Sequence, residues 1–142
     1  MKIYIASSWK NQHAVELLTD LLRIRGHVVL SFVENNDGEQ NGHAACDETG
    51  EPIPLDQWVA SERGERSFEY DTQGATCADL LIYIGPSGVD AWAEVGAAWG
   101  VGVPIFGLHA KGEQSGLMRR MMTGWFDDHK EMLSVVDGIA AQ

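Results

Sequence analysis

The sequence has few cysteines, few basic residues and no long apolar run, and each shortage excludes a class of protein. Its two cysteines, Cys46 and Cys77, form neither a CxxC motif nor a Cys/His spacing, so neither a zinc site nor a disulfide framework is indicated. No apolar run approaches the roughly 18 residues of a membrane-spanning helix, and the first apolar stretch is too short for a secretory signal. We therefore expect a cytoplasmic protein that does not contact membranes.

Basic residues are also too few for a protein that binds nucleic-acid polymers. Ten Lys and Arg residues stand against 21 Asp and Glu residues, and the formal net charge is −11. Nucleic-acid binding draws much of its strength from Lys and Arg that neutralise phosphates, so we expect no nucleic-acid polymer as a partner. A small nucleotide could still bind through backbone N–H groups. The sequence implies no metal and no organic cofactor.

Strand and helix patterns alternate along the chain, and the 142 residues fit one domain, 1–142. The apolar patterns predict strands at 2–7, 27–33, 80–84 and 103–108, and helices at 11–24, 55–68, 91–99 and 116–129. A second short helix or turn is predicted at 70–77. The apolar run 132–139 predicts an edge strand or a helix, and the stretch 34–54 predicts a long loop. This alternation predicts an α/β fold: a doubly wound, mainly parallel sheet of four to five strands with helices on both faces, flavodoxin-like or Rossmann-like.

The loop after the first predicted strand is one place where a ligand could bind, because ligands of such sheets lie at the carboxyl ends of the strands. It leads into a helix N-terminus, where backbone N–H groups favour anions. It contains neither GxGxxG nor GxxxxGK, so a Rossmann or P-loop assignment has little support. Its serines could equally cap the helix, and its tryptophan could pack in the core. The predicted ligand contacts are Ala6, Ser7, Ser8 and Trp9.

The loop and helix after the strand at 80–84 hold a second candidate site. Asp90 and Glu94 are four residues apart and would share one helical face. The helix dipole favours carboxylates near a helix start, which could be their whole role. Glu94, however, lies among alanines and glycines, and a carboxylate in small apolar surroundings needs a partner or a cavity. We therefore predict a functional role for Glu94 and ligand contacts from Pro86, Ser87, Gly88 and Asp90.

Three segments together resemble the nucleoside 2-deoxyribosyltransferase-like family, which is related to deoxynucleoside 5′-monophosphate N-glycosidases. They are KIYIASSW, YDTQGATCADLLIYIGPSG and AEVGAAWGVGVPIFGL, and they extend over most of the chain. The third segment holds an E-x-G pattern at Glu94, Val95 and Gly96, and the second begins with Asp71 shortly before an Ala-Asp pair. Each segment alone would be a weak signal, and the combination is more specific.

The resemblance implies a retaining mechanism and a role for each carboxylate. Glu94 would attack the anomeric carbon through an oxocarbenium-like state, and Asp71 would contact or protonate the departing base. Without the resemblance, Asp71 would be read as a helix or turn cap after Tyr70. The resemblance also implies a homo-oligomer in which a neighbouring chain closes the pocket, and the aromatic segment around Trp125 and Phe126 is a candidate for that element.

One position departs from the family pattern and leaves the substrate open. The transferases usually carry an acidic residue six positions before the nucleophile, where this chain has Gly88, and an acid appears nearer, at Asp90. Relatives that cleave nucleoside 5′-monophosphates have serines and glycines there, which would fit a phosphate pocket at Ser87 and Gly88. Asp90 would repel a phosphate in that pocket. The sequence therefore matches neither pattern fully.

The expected function is an enzyme that cleaves or transfers at the N-glycosidic bond of a small nucleoside or nucleotide through a glutamate nucleophile. Two alternatives stay open at this point. The chain could be a catalytically silent nucleotide-binding sensor or regulator, or a hydrolase that cleaves NAD by the same glutamate chemistry. A purely structural module would leave the site-like segments as coincidences.

Overall fold

A computed structural model describes residues 1–35 and 46–142 of the chain. The strands are β1 (Lys2–Ala6), β2 (Val28–Ser31), β3 (Leu80–Ile84), β4 (Ile105–Leu108) and β5 (Gly124–Phe126). The helices are α1 (Gln12–Ile24), α2 (Leu55–Ala60), α3 (Glu62–Thr76), α4 (Val89–Gly100) and α5 (His129–Ala140). Part of the predicted long loop, 36–45, lies outside the described residues. Within the described ranges, no helix is both long and apolar enough to cross a bilayer.

The strands form one sheet in the order β2-β1-β3-β4-β5, and every pairing is parallel. The predicted doubly wound α/β fold is therefore confirmed. The chain reverses its direction of winding between β1 and β3, and this switch point opens a crevice at the carboxyl ends of those two strands. Every residue of β3 is buried, and so is every residue of β1 after Lys2, because helices cover the sheet on both faces.

The two faces of the sheet are packed by different kinds of side chain. One face carries Ile3, Ile5 and Ile82 against the large aliphatic residues of α1 and α5. The other face carries Tyr4 and Tyr83 against the alanines and valine of α3 and α4. Alternation along each strand produces this division, since successive side chains point to opposite faces. The face with the tyrosines is the one that holds the candidate carboxylates.

The helix predicted at 55–68 and the short helix or turn predicted at 70–77 form two helices that divide at a different residue, α2 (Leu55–Ala60) and α3 (Glu62–Thr76). The break lies at Ser61, whose side chain accepts a hydrogen bond from the Gly64 N–H at 2.9 Å and so caps α3. At Gly64 a Cβ atom would lie 2.1 Å from the Trp58 carbonyl oxygen, so glycine lets α3 turn away closely from α2. Because α3 continues through Asp71, the capping role considered for Asp71 is wrong.

The helix predicted at 116–129 is also wrong. The chain forms a short 3-10 turn, Leu117–Met121, and then the edge strand β5. Glycine is needed in this strand because a Cβ at Gly124 would lie 2.7 Å from the Phe126 ring. Asp128 accepts a hydrogen bond from the Lys130 N–H at 2.8 Å and begins α5, so the run 132–139 is helical. Pairing with β4 thus prevails over the helical pattern of this segment.

The contact between Gly74 of α3 and the Tyr4 ring generates a stability prediction. A Cβ at Gly74 would lie 2.5 Å from the ring of Tyr4, which is fully buried and cannot move freely. Gly74→Ala should therefore lower the free energy of unfolding by about 1–3 kcal/mol, measured by urea denaturation. The matched control is Gly138→Ala in α5, where a Cβ meets no heavy atom within 4 Å. It should be neutral or stabilise by up to about 1 kcal/mol, and equal effects of the two changes would contradict the packing described.

Candidate active site

Two helices bring carboxylates over the carboxyl-end crevice between β1 and β3. The α4 helix begins at Val89, directly after the loop that follows β3. Its buried residues are Ala91, Val95 and Ala98, and such small side chains let the helix axis lie close to the sheet. This close approach brings the side chain of Glu94 to the face of the sheet that carries Tyr4 and Tyr83. The neighbouring helix α3 supplies Asp71.

Tyr4 of β1 links the two carboxylates. Its side chain is fully buried, and its hydroxyl donates a hydrogen bond to Asp71 Oδ1 at 3.2 Å. The same hydroxyl lies close enough to Glu94 to favour the charged form of that carboxylate. Burial, and then the charges of Glu94 and Asp71, raise the pKa of Tyr4 well above its usual value, so Tyr4 stays a neutral donor.

The carboxyl group of Glu94 lies in surroundings that favour its neutral form. Burial raises its pKa well above the usual range, and the charges of Asp71 and, to a smaller extent, Asp90 act in the same direction. The Tyr4 hydroxyl opposes them by hydrogen bonding. The Oε2 atom is buried and has no hydrogen-bond partner within the described part of the chain. A buried acceptor without a partner destabilises a fold, so Glu94 fits a functional role better than a structural one.

Glu94 and Asp71 can share acid and nucleophile roles because their charges repel. When two carboxylates interact strongly, the pair retains one proton over a range of pH in which both would otherwise be ionised. The ionised member can then attack an electrophilic carbon, and the protonated member can donate to a leaving group. The arrangement therefore suits the cleavage of a bond between a carbon and a heteroatom.

The loop after β1 is tied to the loop after β3 by side-chain hydrogen bonds. Ser7 Oγ donates to the Ile84 carbonyl at 2.7 Å and accepts from Asn11 Nδ2 at 3.0 Å. Asn11 Nδ2 also donates to the Pro86 carbonyl at 2.9 Å. Ala6, one residue before, is buried and pairs with Tyr83 in the register of β1 and β3. Of the predicted contacts, Ala6, Ser7 and Pro86 thus lie together at the crevice.

Other predicted residues are placed differently. Ser8 caps the short 3-10 turn that follows it and accepts from the Lys10 N–H at 3.4 Å. The Trp9 ring packs edge-on against Phe32, with 5.4 Å between ring centroids, in the cluster on the opposite face of the sheet from Glu94. Asp79, the acid of the Ala-Asp pair, was not a predicted contact, and it accepts from the Lys2 N–H at 2.7 Å, next to the amino ends of β1 and β3 and so away from the crevice.

The loop after β3 places three predicted residues beside the start of α4. Gly88 is the N-cap of the helix and provides no capping side chain. Ser87 Oγ is buried and has no hydrogen-bond partner among residues 1–35 and 46–142. Asp90 is exposed in the first turn of α4. The Ser87 hydroxyl thus lies one residue before the N-cap of α4, where the first backbone N–H groups of the helix have no partner within the helix.

Sequence reasoning missed three residues of the site, which are Tyr4, Tyr83 and Glu113. The Tyr83 hydroxyl donates a short hydrogen bond to Glu113 Oε1, and a Cβ at Gly85 would collide with the Glu113 carboxylate. Strand register, which the sequence does not reveal, puts Tyr4 and Tyr83 on the same face. Glu113 carries no motif. Within the described ranges, no group of three or more His, Cys, Asp or Glu side chains is arranged to hold a metal ion.

Comparison with solved structures supports the fold. The chain is similar to a 2-deoxyribosyltransferase from Bacillus psychrosaccharolyticus, with 24% sequence identity, a TM-score of 0.71, and coverage of 93% of this chain and 90% of that one. It is also similar to the CMP N-glycosidase BcmB of Clostridium botulinum, with 16% identity, a TM-score of 0.58, and coverage of 96% and 99%. Comparisons with protein-family models and with curated proteins found no match. At these identities the likeness establishes a shared fold.

The raised pKa of Glu94 generates a prediction about stability. The folded protein binds the Glu94 proton more tightly than the unfolded chain does, so its stability falls as pH rises from the usual carboxyl range through the raised pKa. Glu94→Gln removes this cost. At pH 8 the variant should be more stable than the wild type by about 1 kcal/mol, and the difference should shrink as the pH falls towards 5.

Thermal and urea denaturation across this pH range measure the effect. Asp56→Asn is the control, because Asp56 lies exposed in the first turn of α2. A Glu94→Gln variant that is less stable than the wild type at pH 8 would show that the Glu94 carboxylate stabilises the fold.

Proposed function

We propose that this protein is an enzyme that cleaves or transfers at the N-glycosidic bond of a small nucleoside or nucleotide. The observation that supports this most directly is the buried Glu94 carboxylate, which has an oxygen without a hydrogen-bond partner in the described chain and lies beside Asp71 at the switch point of the sheet. The two similar structures, a 2-deoxyribosyltransferase and a CMP N-glycosidase, act on substrates with such bonds.

In the first step, Glu94, whose buried surroundings favour its neutral form, passes its proton to Asp71, and the Glu94 carboxylate then attacks the anomeric carbon of the sugar. The bond between that carbon and the base nitrogen breaks, and its electron pair leaves with the base. Asp71 donates a proton to the departing base, which neutralises the charge that develops there. Tyr4 contacts neither the anomeric carbon nor the base nitrogen in this scheme. It positions Asp71 through the 3.2 Å hydrogen bond and keeps Glu94 more acidic than burial alone would leave it.

In the second step, water or a second base attacks the same carbon and releases Glu94 as a carboxylate. Asp71, now ionised, accepts the proton that the attacking molecule loses, as microscopic reversibility requires. Water as the acceptor makes the enzyme a hydrolase, and a second base makes it a transferase. The chemistry of Glu94 and Asp71 is the same in both cases.

The experiment that tests this function follows base release and base exchange by chromatography. The substrates are a panel of nucleosides, their 5′-monophosphates and NAD, each with and without a second free base. Glu94→Ala should lower the rate by about a thousandfold or more while the protein stays folded, because the nucleophile is lost. The control is Glu131→Gln, an exposed carboxylate in the first turn of α5. Binding without turnover would favour a nucleotide sensor, and nicotinamide release from NAD would favour an NAD-cleaving hydrolase.

The role of Asp71 can be separated in the same assay. Asp71→Asn should lower the rate of base release from ordinary substrates by about 10²–10⁴-fold, because it removes the general acid. A purine nucleoside alkylated at N7 loses its base without needing a proton, so its cleavage should slow far less. An equal loss on both kinds of substrate would show that Asp71 does not act as the acid.

We also propose that the chain forms a homo-oligomer through the side that carries α2, α3 and α4. Large apolar side chains are exposed there, including Phe68 at 67% and Trp99 at 60% of their full exposure. Isolated exposed apolar residues are common on monomers, but several on adjoining helices are typical of an interface. The α3 and α4 helices also carry Asp71 and Glu94, so an interface on this side would lie near the crevice.

Size-exclusion chromatography with light scattering tests this assembly. The wild type should elute as a dimer or larger species, and Phe68→Glu or Trp99→Glu should shift it towards the monomer. The control is Leu17→Glu, which changes a similarly exposed residue of α1, on the other face of the sheet. A monomeric wild type would contradict the proposal, as would equal effects of all three substitutions.

A further inference from the structure

Glu113 is a carboxylate at the crevice that the proposed chemistry does not use. It follows β4 in a tight turn, in which its N–H donates to the Ala110 carbonyl at 3.0 Å. Gly112 precedes it with a φ of +87°, a conformation that side chains rarely adopt. This turn directs Glu113 back across the sheet towards the end of β3. The position of its carboxylate is therefore set by the local backbone.

The surroundings of Glu113 leave one of its oxygens available. Its Oε1 accepts the hydrogen bond of the Tyr83 hydroxyl, and its carboxylate lies so close to Gly85 that a Cβ there would overlap it. Its Oε2 is buried and has no hydrogen-bond partner in the part of the chain that the structure describes. Ser87 Oγ, in the same loop as Gly85, is in the same condition. The Glu113 carboxylate thus lies against Gly85, and Ser87 is two residues further along the same loop. A buried acceptor and a buried hydroxyl at one loop, each without a partner in the described chain, call for an explanation, and a subsite for a polar ligand group supplies one.

The proposed reaction orients the substrate with respect to this carboxylate. Asp71 belongs to α3, which contacts β1 and β2, whereas Glu113 follows β4 and lies on the end of β3. The two carboxylates are thus on opposite sides of Glu94 along the sheet. In a nucleoside the base and the exocyclic C5′ group are attached to the two carbons that flank the ring oxygen, so they lie at opposite ends of that edge of the ring. With the base towards Asp71, the C5′ group is directed towards Glu113.

We propose, on the basis of the function proposed above, that Glu113 determines specificity by accepting a hydrogen bond from the sugar 5′-hydroxyl and by excluding 5′-phosphates. A hydroxyl can donate to Oε2 and accept from Ser87 Oγ, which would satisfy both buried atoms. A phosphate dianion would lie against the Glu113 carboxylate and near Asp90. Among the described ion pairs, no lysine or arginine is paired with either carboxylate to offset that repulsion. The substrate class is therefore an unphosphorylated nucleoside.

The experiment compares the binding of matched ligands by isothermal titration calorimetry. The ligands are a nucleoside, its 5′-monophosphate and its 5′-deoxy analogue, in the base series that the turnover assay selects, or in the adenine and cytosine series if none turns over. Titrations use the Glu94→Gln protein, so that no ligand is consumed, with and without the additional change Glu113→Gln. The matched control adds Glu131→Gln instead. Circular dichroism confirms that each variant is folded.

With Glu113 present, the nucleoside should bind at least about tenfold more tightly than both its 5′-monophosphate and its 5′-deoxy analogue. Glu113→Gln should reduce the discrimination against the monophosphate by about tenfold or more, and Glu131→Gln should leave it unchanged. A monophosphate that binds as tightly as the nucleoside, a preference that Glu113→Gln does not alter, or no binding of any ligand would overturn the inference.

This outcome is separable from that of the proposed function. If turnover depends on Glu94 but the preference for the nucleoside over its 5′-monophosphate does not depend on Glu113, the proposed function is supported and the specificity role of Glu113 is rejected. Binding preferences that depend on Glu113 without any turnover would support the specificity role and reject the proposed function.

Discussion

The structure is organised around a buried carboxylate, Glu94, that lacks a countercharge. Burial of such a group costs free energy, and the described ion pairs include none with Glu94. The cost is offset elsewhere, because β1 and β3 are buried on both faces and anchor a continuous aliphatic core. A sheet of this kind can hold an unfavourable group at its carboxyl edge without losing its fold. Tyr4 reduces the cost further, since its hydroxyl favours the charged form of Glu94.

The two faces of the sheet divide stability and chemistry between them. The face of α1 and α5 is filled mainly by aliphatic side chains, which pack densely. The face of α3 and α4 uses small helix residues over two tyrosines, and Gly74 lets α3 approach the Tyr4 ring. Small residues bring the helix backbones near the sheet, so that the side chains of Asp71 and Glu94 both reach the Tyr4 hydroxyl. Larger residues on that face would separate the helices from Tyr4 and remove the link between the carboxylates.

The parts of the fold that follow local rules could be predicted from the sequence, and the parts that depend on tertiary pairing could not. The strands at 2–7 and 80–84 are apolar enough to be recognised alone, and Glu94 is conspicuous as a charge among alanines. Tyr4 was missed because a strand buried on both faces shows no alternation that would reveal which side chain faces the site. Glu113 was missed because its position depends on the turn at Gly112. The strand β5 has only three residues, and its pairing with β4 defines it.

The acidic side chains around the crevice suit the chemistry that we propose. Cleavage of a glycosidic bond develops positive charge on the sugar ring, and fixed negative groups stabilise such a transition state where water is excluded. Asp71, Asp90, Glu94 and Glu113 all lie around the crevice, and the described ion pairs join none of Asp90, Glu94 and Glu113 to a lysine or arginine. The same field opposes a phosphorylated ligand and favours a neutral one. An enzyme with this charge distribution therefore gains transition-state stabilisation and substrate selectivity from one set of carboxylates, and the stability lost by burying Glu94 is the physical cost of both.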